Sequence, residues 1–186
     1  MRLFTAIELN DEVKAALRKA QRSLAAFDRA VRWVTSDQMH LTLKFLGEVP
    51  DASAGEVSAA TGRIAQASSG FELVVGGCGC FPPKGRVRVV WVGVDEPSGA
   101  LTACNELCES QYAQIGFARE HRAFSPHLTL GRVRDDKTGG RLRDAVADFE
   151  VGPHRHSVAD LCVVRSTLTP GEAEYAVVSR HPLGGA

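Results

Sequence analysis

The tetrapeptide His-Leu-Thr-Leu stands twice in this chain, at residues 40–43 and again at 127–130, about half the chain apart. Each copy is short and reads as a strand, where successive side chains point to opposite faces. In the first copy His40 and Thr42 therefore share one face while Leu41 and Leu43 share the other. In the second, His127 and Thr129 stand against Leu128 and Leu130. Both strands must bury a leucine face and present an imidazole with a hydroxyl. Two such strands facing each other make a cleft onto which two histidines and two threonines converge, a set of groups suited to acid–base chemistry on a phosphate ester.

The rest of the sequence is compatible with one compact body built around such a cleft. Apolar residues make up 44% and charged residues 24%, the balance of a globular protein. Lys plus Arg and Asp plus Glu both number 22. That equality excludes the broad positive field a non-specific binder of long duplexes needs, but leaves room for an enzyme that holds one phosphate with a few arginines. Five cysteines, an odd number, and no signal-like apolar segment after Met1 point to a reducing cytoplasm. Cys104 and Cys108 lie one helical turn apart beside Leu101 and Leu107, as small core residues do. Cys78 and Cys80 lack the usual zinc spacing, so neither metal nor other cofactor is expected. No run reaches the roughly 18 apolar residues of a membrane span.

Periodicity predicts a strand at 3–9 and an amphipathic helix over 11–28, with Asn10 as its N-cap and Asp11 and Glu12 in its first turn. Strands follow at 31–34 and 40–46, then a helix over 52–68. Strands are expected at 71–75 and 86–94, separated by the glycine-rich stretch 76–85, which matches no phosphate-binding fingerprint and reads as a turn or bulge near the cleft. A helix over 97–115, the second motif strand at 127–133, a short helix near 138–148 and strands near 155–166 and 173–180 complete the series. The fold class expected is α+β, with two similar lobes in a single unit covering residues 1–186.

The paired motifs resemble the signature of the 2H phosphoesterases. Their flanks narrow the resemblance to the RNA 2′,3′-cyclic phosphodiesterases, also called 2′-5′ RNA ligases. Four stretches carry it: Arg2-Leu-Phe-Thr-Ala-Ile-Glu8; Arg32-Trp-Val with His40-Leu-Thr-Leu-Lys-Phe-Leu-Gly47; Phe124-Ser-Pro-His-Leu-Thr-Leu-Gly-Arg132; and Ser166-Thr-Leu-Thr-Pro-Gly171 with Tyr175. The resemblance implies two antiparallel-rich sheets with helices outside, a pseudo-twofold relation, and a central cleft. It also implies metal-independent opening of RNA 2′,3′-cyclic phosphate ends to 2′-phosphomonoesters, with 2′-5′ ligation as the reverse type of reaction. The partners implied are RNA ends or small nucleotides bearing a cyclic phosphate, with no obligate protein partner and a monomeric state.

Histidine suits the proton transfers because its ordinary pKa is near neutrality. By the family analogy His127 is the base and His40 the acid. Thr42 and Thr129 would donate to the non-bridging phosphate oxygens, and Arg132 would grip two of them with its planar fork. Phe45, five residues after His40, shares its face only if the strand slips by one residue; there it would stack on a nucleobase. His154 and His156 share a strand face and read as a solvated edge rather than a metal pair. Lys84, Arg86 and Arg88 read equally as an RNA-facing basic rim or as alternating surface charge. The rival readings are another cyclic or 2′-5′-linked nucleotide as substrate, a non-catalytic RNA-end binding module, and a metallohydrolase using the histidines.

Overall fold

The structure, a computed structural model, describes residues 1–169 and 173–185. Pro170 and Gly171, at the end of the fourth matching stretch, lie outside the described residues. Nine strands among the described residues form two antiparallel sheets. The strands are β1 (Arg2–Glu8), β2 (Val31–Trp33), β3 (His40–Glu48), β4 (Phe71–Phe81), β5 (Val89–Asp95), β6 (His127–Val133), β7 (His154–Val158), β8 (Asp160–Leu168) and β9 (Ala173–Pro182). The four-stranded sheet has the order β3-β1-β8-β9, and the five-stranded sheet β2-β6-β5-β4-β7. The two orders superpose if β3 is matched with β6, β1 with β5, β8 with β4 and β9 with β7, leaving β2 as an extra edge strand.

Helices cover one face of each sheet. They are α1 (Asp11–Ser23), α2 (Ala54–Gln66), α3 (Ala100–Gln114) and α4 (Arg141–Ala147). α2 packs on β8 and β9, and α3 on β3, while α1 packs on β7 and α4 on β4. Thus α1 follows β1 of one sheet but covers the other, and each sheet draws strands from both halves of the chain. The Asn10 side chain accepts from the Val13 N–H at 2.9 Å and caps α1 as its sequence predicts. This helix ends at Ser23 rather than residue 28, and a single 3-10 turn, Ala25–Phe27, takes the remainder.

The motif leucines Leu41, Leu43, Leu128 and Leu130 are all buried in one apolar cluster beneath the helices. At about 1.5–3 kcal/mol for each fully buried leucine, this face holds the strands in register. On its other side β1 buries Phe4 and Ala6 with Cys162 and Val164, a second apolar layer under the cleft. β1 is flanked by strands on both edges, and Leu3 through Ile7 are buried on both of its faces.

Each motif strand carries an irregularity at the same place. Along β3, Ala6 pairs with Thr42 and Thr5 with Lys44, so Leu43 is skipped. Along β6, Trp91 pairs with Thr129 and Val90 with Gly131, so Leu130 is skipped. These are β-bulges, and each moves the residues beyond it to the opposite face. The bulged carbonyls are met by amide side chains from the covering helices. Asn105 Nδ2 of α3 donates to the Leu43 carbonyl at 2.9 Å, and Gln21 Nε2 of α1 donates to the Leu130 carbonyl at 3.0 Å.

The glycine-rich stretch is mostly strand, not loop. β4 continues to Phe81, with a bulge between Gly76 and Cys78 at Gly77, whose φ is +66°. Gly79 stands opposite Trp91, and a Cβ there would fall 2.2 Å from the indole ring, so the glycine is a seat for that ring. Residues 86–88, expected to begin the next strand, precede it. The strand expected at 155–166 is two, because the chain passes from one sheet to the other at Ala159. No glycine or proline marks that crossing, which is why the sequence pattern runs through it.

Replacing Asn105 with Ala removes a buried donor from the Leu43 bulge and should cost about 1–3 kcal/mol. Gln21→Ala should cost less, because the Leu130 carbonyl retains the Val34 N–H at 2.9 Å. Urea denaturation midpoints of the two variants check the order; a reversed order would contradict it.

Candidate active site

Between the uncovered faces of the two sheets lies a cavity of about 530 Å³, and β3 and β6 approach each other across it. All six side chains singled out from the sequence line it: His40, Thr42 and Phe45 from β3, and His127, Thr129 and Arg132 from β6. The first two of each trio arrive by simple alternation. Phe45 and Arg132 arrive because of the bulges, which supply the one-residue slip that an odd spacing requires. They occupy matching positions in the two lobes, an aromatic ring on one side and a guanidinium on the other.

The two imidazoles are held in parallel ways. His127 Nδ1 is 2.8 Å from the Ser125 carbonyl, so Nδ1 carries the proton and Nε2 is left toward the cavity. His40 has a corresponding hydrogen bond with the backbone of Gln38, again two residues upstream, and its Nε2 lies 3.0 Å from Thr42 Oγ1. Aromatic rings wall both. Phe4 and Tyr175 stand 4.7 and 5.2 Å from the His40 ring, and Phe81 meets the His127 ring edge-on at 5.0 Å. Phe4 also contacts Phe45, whose own side remains 65% exposed at the rim.

The surroundings of His40 disfavour its cation. Burial is the largest cause, and it lowers the pKa to about 4; Arg132 and Lys14 act in the same direction. The Gln38 hydrogen bond and the charge of Glu8, which pairs with His40 across β1 and β3, act against them. With these surroundings His40 is neutral at pH 7.

A buried ion pair steadies the approach to β6. Lys44 Nζ, 2.7 Å from Glu109, also donates to the Ala118 carbonyl, and Glu109 accepts the Glu120 N–H. These contacts pin the segment that leads to His127. Gly131 is the counterpart of Lys44, and it has no room for a side chain: a Cβ would fall 2.5 Å from Val31 and 2.8 Å from Trp33. The extra strand β2 thus replaces the buried ion pair on that side.

Other expectations need correction or find no place in the cavity. His156 is not on a solvated edge: it is 7% exposed, with both ring nitrogens buried and without a side-chain partner, and burial lowers its pKa. β7 is an edge strand, but its inner face lies under α1. Lys84, Arg86 and Arg88 are exposed and do not line the cavity. Among the described residues no group of three or more His, Cys, Asp or Glu side chains is arranged to hold a metal ion, and no helix is long and apolar enough to cross a membrane. Phe4, Phe81 and Gln38 border the histidines, yet no local pattern singles them out, since each sits in an ordinary strand or turn.

If burial and Arg132 set the His40 pKa, the ring should titrate near 4 in the free protein. A bound phosphate should raise it, because an anion favours the imidazolium. Histidine NMR titrations with and without saturating inorganic phosphate check this; an unchanged midpoint would contradict the electrostatic account.

Comparison with known proteins agrees with this architecture. The model of the LigT-like phosphoesterase family matches the chain twice in succession, over residues 7–91 and 92–175. The RNA 2′,3′-cyclic phosphodiesterase of Thermotoga maritima is 33% identical over 96% of this chain and 93% of its own, and that of Escherichia coli K12 is 32% identical over 98% and 96%. Among solved structures, TT0787 of Thermus thermophilus superposes with a TM-score of 0.87 at 28% identity, covering 100% of this chain and 99% of the other. E. coli LigT complexed with 3′-AMP superposes with a TM-score of 0.80 at 30% identity, over 98% and 97%.

Proposed function

The chain belongs to the LigT-like phosphoesterase family, and from that premise we propose that it hydrolyses the 2′,3′-cyclic phosphate at RNA ends to a 2′-phosphomonoester. The observation that carries the reading is the convergence of two His-x-Thr pairs and Arg132 on one cavity from two opposed sheets. The relatives named RNA 2′,3′-cyclic phosphodiesterase and the 3′-AMP complex of the E. coli protein support a nucleotide substrate.

In this reaction water attacks phosphorus, the bond from phosphorus to the ribose 3′ oxygen breaks, and the 2′ ester remains. His127 Nε2 takes the proton from water, its other nitrogen being anchored on Ser125. His40 protonates the departing 3′ oxygen. Its surroundings lower its pKa, and the phosphate monoanion of the substrate offsets this by stabilising the imidazolium, so that His40 is charged when substrate is bound. Thr42, Thr129 and Arg132 hold the non-bridging oxygens, where negative charge must be met, and Phe45 stacks on the terminal base. With an RNA 5′-hydroxyl replacing water, the reverse type of reaction joins ends through a 2′-5′ bond, and the two histidines exchange roles. No step uses a metal or cofactor.

The lowered pKa of His40 favours a second assignment, with His40 as base and His127 as acid. A substrate whose bridging 3′ oxygen is replaced by sulfur separates them, because a thiolate leaves without protonation. Under the first assignment this substrate should rescue His40→Ala and not His127→Ala; the opposite pattern would establish the second.

The reaction itself is tested by product analysis on a short RNA with a 2′,3′-cyclic phosphate, with EDTA present. Wild type should yield the 2′-phosphate, and His40→Ala and His127→Ala should each fall by about 10²–10⁴. A 3′-phosphate product would keep the histidine pair and invert the substrate. Full loss of activity in EDTA would favour a metallohydrolase, and binding without turnover would favour an RNA-end binding module.

A further inference from the structure

A second hollow, of about 420 Å³, opens beside the cavity and is continuous with it, sharing Gln38, Arg132 and Tyr175 among its walls. β2 adds Arg32 and Trp33 to its walls. Arg32 and Arg132 are direct cross-strand partners on β2 and β6, so both side chains point to the same face. Both are exposed, and neither guanidinium has a hydrogen-bond or ion-pair partner among the described residues. Like charges placed directly opposite on an antiparallel pair destabilise it. Glu8, Glu109 and Asp160 elsewhere meet cations, but among the described residues no carboxylate offsets this pair.

Trp33 next to Arg32 is held in a fixed pose. Its indole N–H donates to Asp28 at 2.6 Å, and the missing Cβ of Gly131 leaves room for its ring over β6. The ring packs over Gly131 against the main apolar core, on the face opposite Arg32, and so anchors β2 while Arg32 faces the hollow. A pair of planar cations side by side on the cleft face suits a phosphodiester, since guanidinium forks grip phosphate oxygens.

We propose that Arg32, beside Arg132 at the edge of the inner cavity, forms an outer subsite for the phosphate on the 5′ side of the terminal nucleotide. This rests on the function proposed above, with the cyclic phosphate in the inner cavity. The enzyme would then distinguish an RNA end from a free cyclic mononucleotide.

Three substrates test it: a nucleoside 2′,3′-cyclic phosphate, the same compound with a 5′-phosphate, and a dinucleotide ending in a cyclic phosphate. For wild type, kcat/KM should be higher on the second and third than on the first. Arg32→Ala should match wild type within about twofold on the first and lose roughly tenfold on the second and third, equivalent to about 1.4 kcal/mol. Arg32→Lys should recover part of the loss, as a point charge without the fork. Equal loss on all three substrates, or loss on none, would overturn the subsite while leaving hydrolysis intact. A gain confined to the dinucleotide, insensitive to Arg32, would assign the preference to base stacking and also overturn it. Absence of turnover by wild type on all three would instead defeat the function proposed above, and the subsite with it.

Discussion

The cleft depends on one constraint, that a buried carbonyl must find a donor. Skipping Leu43 and Leu130 in the ladders turns those backbone groups toward the helices, where water is scarce. Asn105 and Gln21 answer them. Because each bulge is satisfied, the strand can hold His and Thr on the cleft face before it and Phe45 or Arg132 on the same face after it. A regular strand of the same sequence would send the fifth residue into the core, where neither an exposed guanidinium nor a rim phenyl belongs.

From nearly superposable strands the two lobes build different electrostatics. Matching positions carry Phe45 and Arg132, and Lys44 and Gly131, so one side of the cleft is aromatic and the other cationic. His40 sits on the aromatic side, walled by Phe4 and Tyr175, and feels Arg132 from across the gap. A symmetric motif thereby yields two histidines in unlike settings, which is the condition for one to accept a proton while the other gives it.

How much of this is legible in the sequence follows from the range of each cause. Alternation is local, so the tetrapeptides alone place His40, Thr42, His127 and Thr129 on one face of their strands. Arg132 and Phe45 can be named but not oriented, because the bulges depend on side chains from distant helices. The glycine run reads as a turn, since nothing local reveals that Gly79 answers the bulk of Trp91 on the neighbouring strand. The passage between sheets at Ala159 leaves no breaker residue to read. His156 differs from its expected solvated setting because alternation gives a face but not what covers it, and the cover is α1. Phe4 is visible only as one residue of a matching stretch.

The interleaving of strands has a consequence for how the molecule comes into being. The sequence repeat falls between residues 91 and 92, yet neither repeat owns a sheet. β1, made first, lies between β3 and β8, with Arg2 opposite Ser166. On a ribosome β1 therefore waits until β8 has been made before its second neighbour exists, and its apolar residues must be sheltered by β3 alone until then. Pairings of such long sequence separation close slowly, so the emerging chain passes through a stage in which β1 presents an open edge. The strand that seals it is β8, made long after β1 and β3.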